Sequence, residues 1–150
     1  MITINRCDSG HTDFITMVSF LDKELAVIDG RDHDFYNAFN RINLIRHAVV
    51  AYHKGQPVGC GAIKVFSDEA MEIKRMYVSP DIRNHGIGKL IVTELENWAR
   101  ELSYVKCVLE TGRRQPDAIA LYKKCGYQQI PNYGQYIGME NSVCFEKRLK

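Results

Sequence analysis

Hydrophobic positions recur along the chain with two periods, and the switches between them outline the fold. Ile2 and Ile4 alternate with polar neighbours up to Cys7, predicting a short first strand that stops at Asp8-Ser9-Gly10. Phe14, Met17, Val18, Leu21, Leu25 and Ile28 then return every three or four residues, the period of an amphipathic helix. A second helical stretch carries Phe35, Phe39 and Ile42. The apolar runs at 48–52 and 58–66 read as two strands joined at Lys54-Gly55, a hairpin signal. Ser67-Asp68-Glu69 turns the chain into a third strand, 70–78.

After Ser79-Pro80, a polar and glycine-containing stretch from Asp81 to Gly88 feeds a strongly patterned helix. There Ile91, Leu95, Trp98 and Leu102 share one face. Residues 105–111 predict a strand stopped by Gly112. Pro116 suits the first position of a short helix, and Gly126 suits the point where that helix ends. Loop residues around Pro131-Asn132-Tyr133-Gly134 precede a final strand at 142–146. Strands and helices in this order imply an α+β fold with an α/β-type mixed sheet, antiparallel where hairpins join it. No repeat, low-complexity tract or linker interrupts the pattern, so a single domain over 1–150 is expected.

Composition narrows the functional classes. With 150 residues, 45% of them hydrophobic, the chain can bury one sizeable core, and a net charge of +2 is too small for a disordered chain. The near-neutral balance argues against a dedicated nucleic-acid binder. No apolar run is long enough for a membrane span, and the N-terminus lacks the basic-then-apolar order of a signal peptide, so a cytoplasmic location is expected. Cys7, Cys60, Cys107, Cys125 and Cys144 are widely spaced without a CxxC, and the five histidines form no HxxxH or HExxH. Reduced thiols and no metal site are therefore expected.

The segment that carries chemistry is 71–89: a strand, a loop and a helix start, with glycines and positive charge at the junction. Backbone N–H groups at a helix N-terminus have no partner in the helix, so they favour phosphate. A Walker A loop fails here, because Arg83 stands where it needs Gly and Leu90 where it needs Ser or Thr. A dinucleotide fingerprint fails because Ile91 stands where a small residue belongs. What remains is Arg83-x-x-Gly86-x-Gly88, which by itself is also compatible with a plain glycine turn capping a helix.

That motif, directly after Tyr77-Val78-Ser79-Pro80, closely resembles the acyl-CoA-binding motif of the GNAT N-acetyltransferase superfamily. Residues 118–127, Ala118-Ile119-Ala120-Leu121-Tyr122-Lys123-Lys124-Cys125-Gly126-Tyr127, look like its second signature. Glu110-Thr111-Gly112 and the tail from Tyr133-Gly134 to Phe145-Glu146-Lys147 resemble a bacterial subgroup of small members. The resemblance implies the GNAT acyl-CoA N-acyltransferase fold, a central and mostly antiparallel sheet flanked by helices, ending in a pair of strands. It also implies acetyl-CoA as co-substrate, no metal, an amine acceptor and direct transfer in a ternary complex; it allows a homodimer.

The same resemblance implies roles for individual residues. Backbone amides of Asn84, His85, Gly86, Ile87, Gly88 and Lys89 would bind the pyrophosphate, with charge from Arg83, Lys89, Lys123 and Lys124. Met76, Tyr77 and Val78 would hold the pantetheine arm through main-chain groups. Gln115 stands where members often carry Asn facing that arm. Tyr122 is the candidate general acid for the leaving thiolate, although its spacing from Ala118, Leu121 and Cys125 suits plain core packing as well. Glu72 is the candidate general base, expected by strand alternation on the same face as Lys74, Met76 and Val78; a pairing with Lys74 or Arg75 is its other reading. The acceptor wall is expected around Asp29, Arg31, Asp32, His33, Asp34 and Tyr36 on one side and Tyr133, Tyr136 and Glu140 on the other. Arg31, Arg41 and Arg46 could instead hold a substrate carboxylate. The rival reading is a non-catalytic acyl-CoA-binding or sensory module, which would need neither Tyr122 nor a base.

Overall fold

A computed structural model describes residues 1–29 and 45–150 of the chain. The elements run β1 (Ile2–Cys7), α1 (Thr12–Asp29), β2 (His47–His53), β3 (Gln56–Val65), β4 (Ala70–Val78), α2 (Ile87–Glu101), β5 (Lys106–Gly112), α3 (Pro116–Lys124), β6 (Gln128–Ile130) and β7 (Ser142–Arg148). Short 3-10 turns at Pro80–Ile82 and Gly134–Tyr136 complete them. The helix expected on Phe35, Phe39 and Ile42 lies outside the described residues. So do Arg31, Asp32, His33, Asp34, Tyr36 and Arg41 of the expected acceptor wall.

The seven strands form one sheet in the order β1-β2-β3-β4-β5-β7-β6. All neighbours are antiparallel except β4 and β5, which run parallel because α2 carries the chain back between them. One face is covered by α1. Its Phe14, Met17, Val18 and Leu21 pack on Ala48, Val50, Cys60, Ala62 and Tyr77. The other face is covered by α2 and α3, whose Ile87, Ile91, Val92, Leu95 and Tyr122 pack on Val49, Ile63, Met71, Ile73 and Leu109. Each fully buried side chain of this size contributes about 1.5–3 kcal/mol, so both helical layers are fixed by their apolar stripes. Leu102, expected as the last apolar contact of α2, is instead its C-cap residue and is partly exposed. Arg6 ties β1 to the polar side of α2 through ion pairs with Glu94 at 2.7 Å and Glu101 at 2.6 Å.

Two departures from a regular sheet create the site. The first is a bulge in β4. Ala62 stands opposite Lys74 and Cys60 opposite Tyr77, so one residue of β3 spans the same length as two of β4. Arg75 takes up the extra residue with a φ of +59°, and the Cys60 thiol donates to its turned carbonyl at 3.2 Å. Alternation therefore resets inside the strand. Met71, Ile73, Met76 and Val78 face α2, whereas Tyr77 joins the α1 layer and Arg75 pairs with Asp22 of α1. This corrects the expectation that Glu72 and Lys74 share a face with Met76 and Val78: the bulge places the two pairs on opposite faces.

The second departure lies on the other edge of β4. Parallel pairing between β4 and β5 covers only Ala70–Lys106, Met71–Cys107 and Glu72–Val108. Beyond that point the strands diverge, and the edges facing each other across the gap have no ladder partner among the described residues. On its far side β5 stays paired with β7 up to Gly112–Ser142. Strand β6, the partner of β7 in the expected closing pair, lies outside β7 through Gln128–Glu146, Gln129–Phe145 and Ile130–Cys144.

Candidate active site

The gap between β4 and β5 opens into a cleft of about 910 Å³. Its wall is drawn from both faces of the sheet: Leu21, Glu24, Leu25 and Ile28 of α1 on one side, and Gly86 to Lys89, Ala118, Leu121 and Tyr122 of α2 and α3 on the other. Residues 73–78 of β4 and Glu110, Thr111 and Gly112 of β5 form its flanks. A splayed parallel pair thus makes a passage through the sheet, open at the C-terminal ends of the two strands.

At one end of this passage stands the start of α2. Asn84 and Gly86 both have positive φ, +67° and +80°, which turns the loop tightly so that the first-turn amides of α2 face the cleft. The two glycines do different work. A side chain at Gly86 would meet open space, so its requirement is the left-handed backbone. A Cβ on Gly88 would stand 3.0 Å from Leu121 Cδ2, so its requirement is the close approach of α3. Lys89 and Lys124 line the cleft here, and Lys123 does not. Arg83 does not simply add charge. Its Nε donates to the Val78 carbonyl at 2.7 Å, its Nη2 pairs with Glu24 at 2.8 Å, and its guanidinium lies over the Tyr77 ring. It therefore clasps the loop to the end of β4 and to α1. His85 folds back over the loop, with Nδ1 at 2.9 Å from the Arg83 carbonyl oxygen, and its ring lies outside the cleft.

Tyr122 is buried in the cleft wall, edge-on to Tyr127 with ring centroids 6.0 Å apart. Burial pushes its phenol above the ordinary value of 10, and the Cys125 and Glu110 sides add to the rise. The group is protonated throughout the neutral range. Gln115, at the N-cap of α3, and Met76 also line the cleft, as do Tyr77 and Val78.

Glu72 has a different setting. It is 7% exposed, accepts a hydrogen bond from the Tyr133 hydroxyl at 2.6 Å and lies 3.7 Å from the Lys74 ammonium. Lys74 in turn donates to the Tyr136 hydroxyl at 3.3 Å. These four side chains make one polar cluster, in which Lys74 reaches the cleft lining and Glu72 lies behind it. Burial lowers the Lys74 ammonium, partly countered by Glu72 and Glu110. Burial and the Glu72 carboxylate raise the Tyr133 phenol. Of the expected acceptor wall, Tyr133 and Tyr136 belong to this cluster, while Glu140 and Arg46 are exposed. Glu110 is the carboxylate of β5 that does line the cleft. Alternation in β5 gives it the α1 face, since Cys107 and Leu109 belong to the other layer. In the sequence Glu110 stands in the Glu110-Thr111-Gly112 run, where nothing local marks it as a site residue. Its signal would have been the parallel register: β5 residues beyond Val108 face the gap once the bulge separates the strands.

Among the described residues no group of three or more His, Cys, Asp or Glu side chains could hold a metal ion, and no helix is long and apolar enough to cross a membrane.

Comparison with known proteins gives a consistent family. Residues 15–127 match the profile of the acetyltransferase (GNAT) family. The IAA acetyltransferase of Azospirillum brasilense is 37% identical over 102 residues, 67% of this chain and 67% of that protein. The chain thus spans about two thirds of the length of the curated relatives it matches. A solved structure from Klebsiella pneumoniae, assigned to the acyl-CoA N-acyltransferases, superposes with a TM-score of 0.84 at 30% identity, covering 100% of this chain and 99% of that one. A GNAT family acetyltransferase from Elizabethkingia anophelis, solved with acetyl-CoA bound, shares the fold with a TM-score of 0.72 at 19% identity, covering 99% and 98%.

Proposed function

The chain belongs to the acetyltransferase (GNAT) family, and from that premise we propose that it moves an acetyl group from acetyl-CoA to a primary amine of a small molecule or peptide, by direct transfer in a ternary complex. The observation that carries this reading is the passage through the sheet. Its walls come from both faces, so an acyl donor entering beside α2 and α3 and an amine entering beside α1 meet between β4 and β5.

On the donor side, the amides at the start of α2 receive the pyrophosphate, in the favourable field of a helix N-terminus, with Lys89 and Lys124 beside them. Arg83 acts by holding that loop against Val78 and Glu24. Main-chain groups of Met76, Tyr77 and Val78, left without strand partners toward β5, hold the pantetheine arm. A backbone N–H near Met76 stabilises charge on the acetyl oxygen as the amine attacks. The C–N bond forms as the C–S bond breaks, and Tyr122 supplies the proton that leaves with the sulfur. Burial keeps its phenol protonated at neutral pH, so the proton is there to give.

The amine must lose a proton before or during attack. Glu110, which lines the passage on the α1 face, takes this proton. Glu72 sits behind, where it holds Lys74 and Tyr133. The acceptor end is lined by Leu21, Leu25 and Ile28 with Lys74 and Arg75 nearby, a mixed apolar and charged wall.

Turnover by the Tyr122→Phe variant against a panel of primary amines tests the reading. Acetyl-CoA at about 100 times its dissociation constant should stabilise both proteins by roughly 2.7 kcal/mol, while the variant's kcat falls about 100-fold. Thermal stabilisation of the wild type without turnover of any amine would leave a non-catalytic acyl-CoA-binding module. No stabilisation by any acyl-CoA would remove the donor site altogether.

A further inference from the structure

Asn141, the residue before β7, is 9% exposed and lines the cleft, yet neither Oδ1 nor Nδ2 of its side-chain amide has a hydrogen-bond partner among the described residues. Leaving a buried donor and a buried acceptor unmade is unfavourable. The Asn141 carbonyl accepts from the Arg113 main-chain N–H at 2.7 Å, fixing the residue against the end of β5. The Gln115 amide N–H closes the same turn on the Gly112 carbonyl at 3.0 Å. The side chains of Asn141 and Gln115 flank one point. A Cβ on Gly112 would stand 3.2 Å from Gln115 Nε2 and 3.5 Å from Asn141 Nδ2. The missing side chain of Gly112 thus leaves a notch in the cleft wall with two amide nitrogens directed around it.

We propose that Asn141, together with Gln115, forms a subsite for a secondary amide of the pantetheine arm. The inference rests on the acyl-CoA reading above. Converging N–H donors call for a carbonyl oxygen, and the unpartnered Oδ1 of Asn141 calls for an N–H. A secondary amide offers both in one planar group; a carboxylate offers only the first. Turning the Asn141 amide over exchanges its two ends and leaves the requirement unchanged. The position agrees: the notch lies at the C-terminal end of β5, on the wall it shares with α3, across the gap from the β4 main chain. The arm is then held from both flanks, by backbone on β4 and by side-chain amides on the β5 side.

Calorimetric titration of CoA and of pantetheine into wild type, Asn141→Ala and Asn141→Asp tests this, with the melting temperature of each unliganded protein measured alongside. Asn141→Ala should bind CoA about tenfold more weakly. The same ratio should hold for pantetheine, which lacks the pyrophosphate. Asn141→Asp, close in shape but without the donor, should lose at least as much. The unliganded melting temperature of Asn141→Ala should stay level or rise, because the variant removes an unmet polar group. Unchanged CoA affinity in both variants overturns the proposal. So does a melting temperature lowered by several degrees with affinity retained, which would make Asn141 a structural residue, or a rise confined to the acceptor KM. Should the wild type itself fail to bind CoA, the donor reading fails; should it bind and the variants bind equally, only this subsite fails.

Discussion

The two halves of β4, before and after the bulge at Arg75, have opposite uses. In the first half, Glu72 and Lys74 are buried polar side chains whose demands are met by Tyr133, Tyr136 and each other, and the strand edge is paired with β5. In the second half, Met76 and Val78 turn to the α2 face and the edge toward β5 stands open. A satisfied cluster resists rearrangement; an open edge can receive a ligand. One extra residue, Arg75 at positive φ, converts the first condition into the second. Glu72 sits in the satisfied half of β4, and Glu110 of β5 lines the cleft that the open half borders.

The largest expected effect falls on the satisfied half. Glu72→Ala leaves the Lys74 ammonium buried with its nearest carboxylate gone and the Tyr133 hydroxyl without its acceptor. Breaking a buried pair from one side costs on the order of 3 kcal/mol. Urea titration should show that loss, while kcat per folded molecule stays within a few-fold of wild type. A stable Glu72→Ala protein with kcat reduced about 100-fold would restore Glu72 as the base and erase the distinction.

Glu110→Gln should behave in the converse way. The exchange keeps size and hydrogen-bonding reach but removes the charge, so kcat should fall about 100-fold with acetyl-CoA affinity retained. Equal turnover in wild type and Glu110→Gln would mean that water alone carries the amine proton, and the open half would then act through its backbone only.

Much of this arrangement was legible before any coordinates. The apolar periods of α1 and α2, the hairpin at Lys54-Gly55 and the Pro116 start of α3 are local signals, and each element stands where its pattern put it. The Arg83-x-x-Gly86-x-Gly88 loop was likewise recognisable because helix-start chemistry is written in consecutive residues. The bulge was not. Nothing in Glu72-Ile73-Lys74-Arg75-Met76 marks a break in alternation, since the extra residue is defined only against β3, where Gly61 lies under the Met76 sulfur. The error over the face of Glu72 followed from that. Strand β6 was too short, at three residues, to show a period. Asn141 was invisible for a related reason: its unmet amide is a property of what surrounds it, and a single Asn beside a strand carries no pattern.

The smallest effect concerns the loop that feeds the open half, and it separates the two glycines of the motif. Gly86 has φ +80° with open space where a Cβ would go, so Gly86→Ala meets no clash and pays only for the left-handed backbone, about 1 kcal/mol. The loop can relieve that strain by relaxing toward negative φ, which would swing the first-turn amides of α2 away from the cleft. Gly86→Ala should therefore weaken CoA binding by more than its stability loss implies, with pantetheine binding unchanged because that ligand lacks the pyrophosphate. Gly88→Ala differs, since the added methyl presses on the end of the flexible Leu121 side chain and leaves the backbone conformation alone. Its CoA affinity should follow wild type more closely. If the two variants lost CoA affinity equally, with pantetheine affinity intact, the left-handed turn would not be what aims the amides, and the space above Gly88 would have to be counted part of the phosphate site.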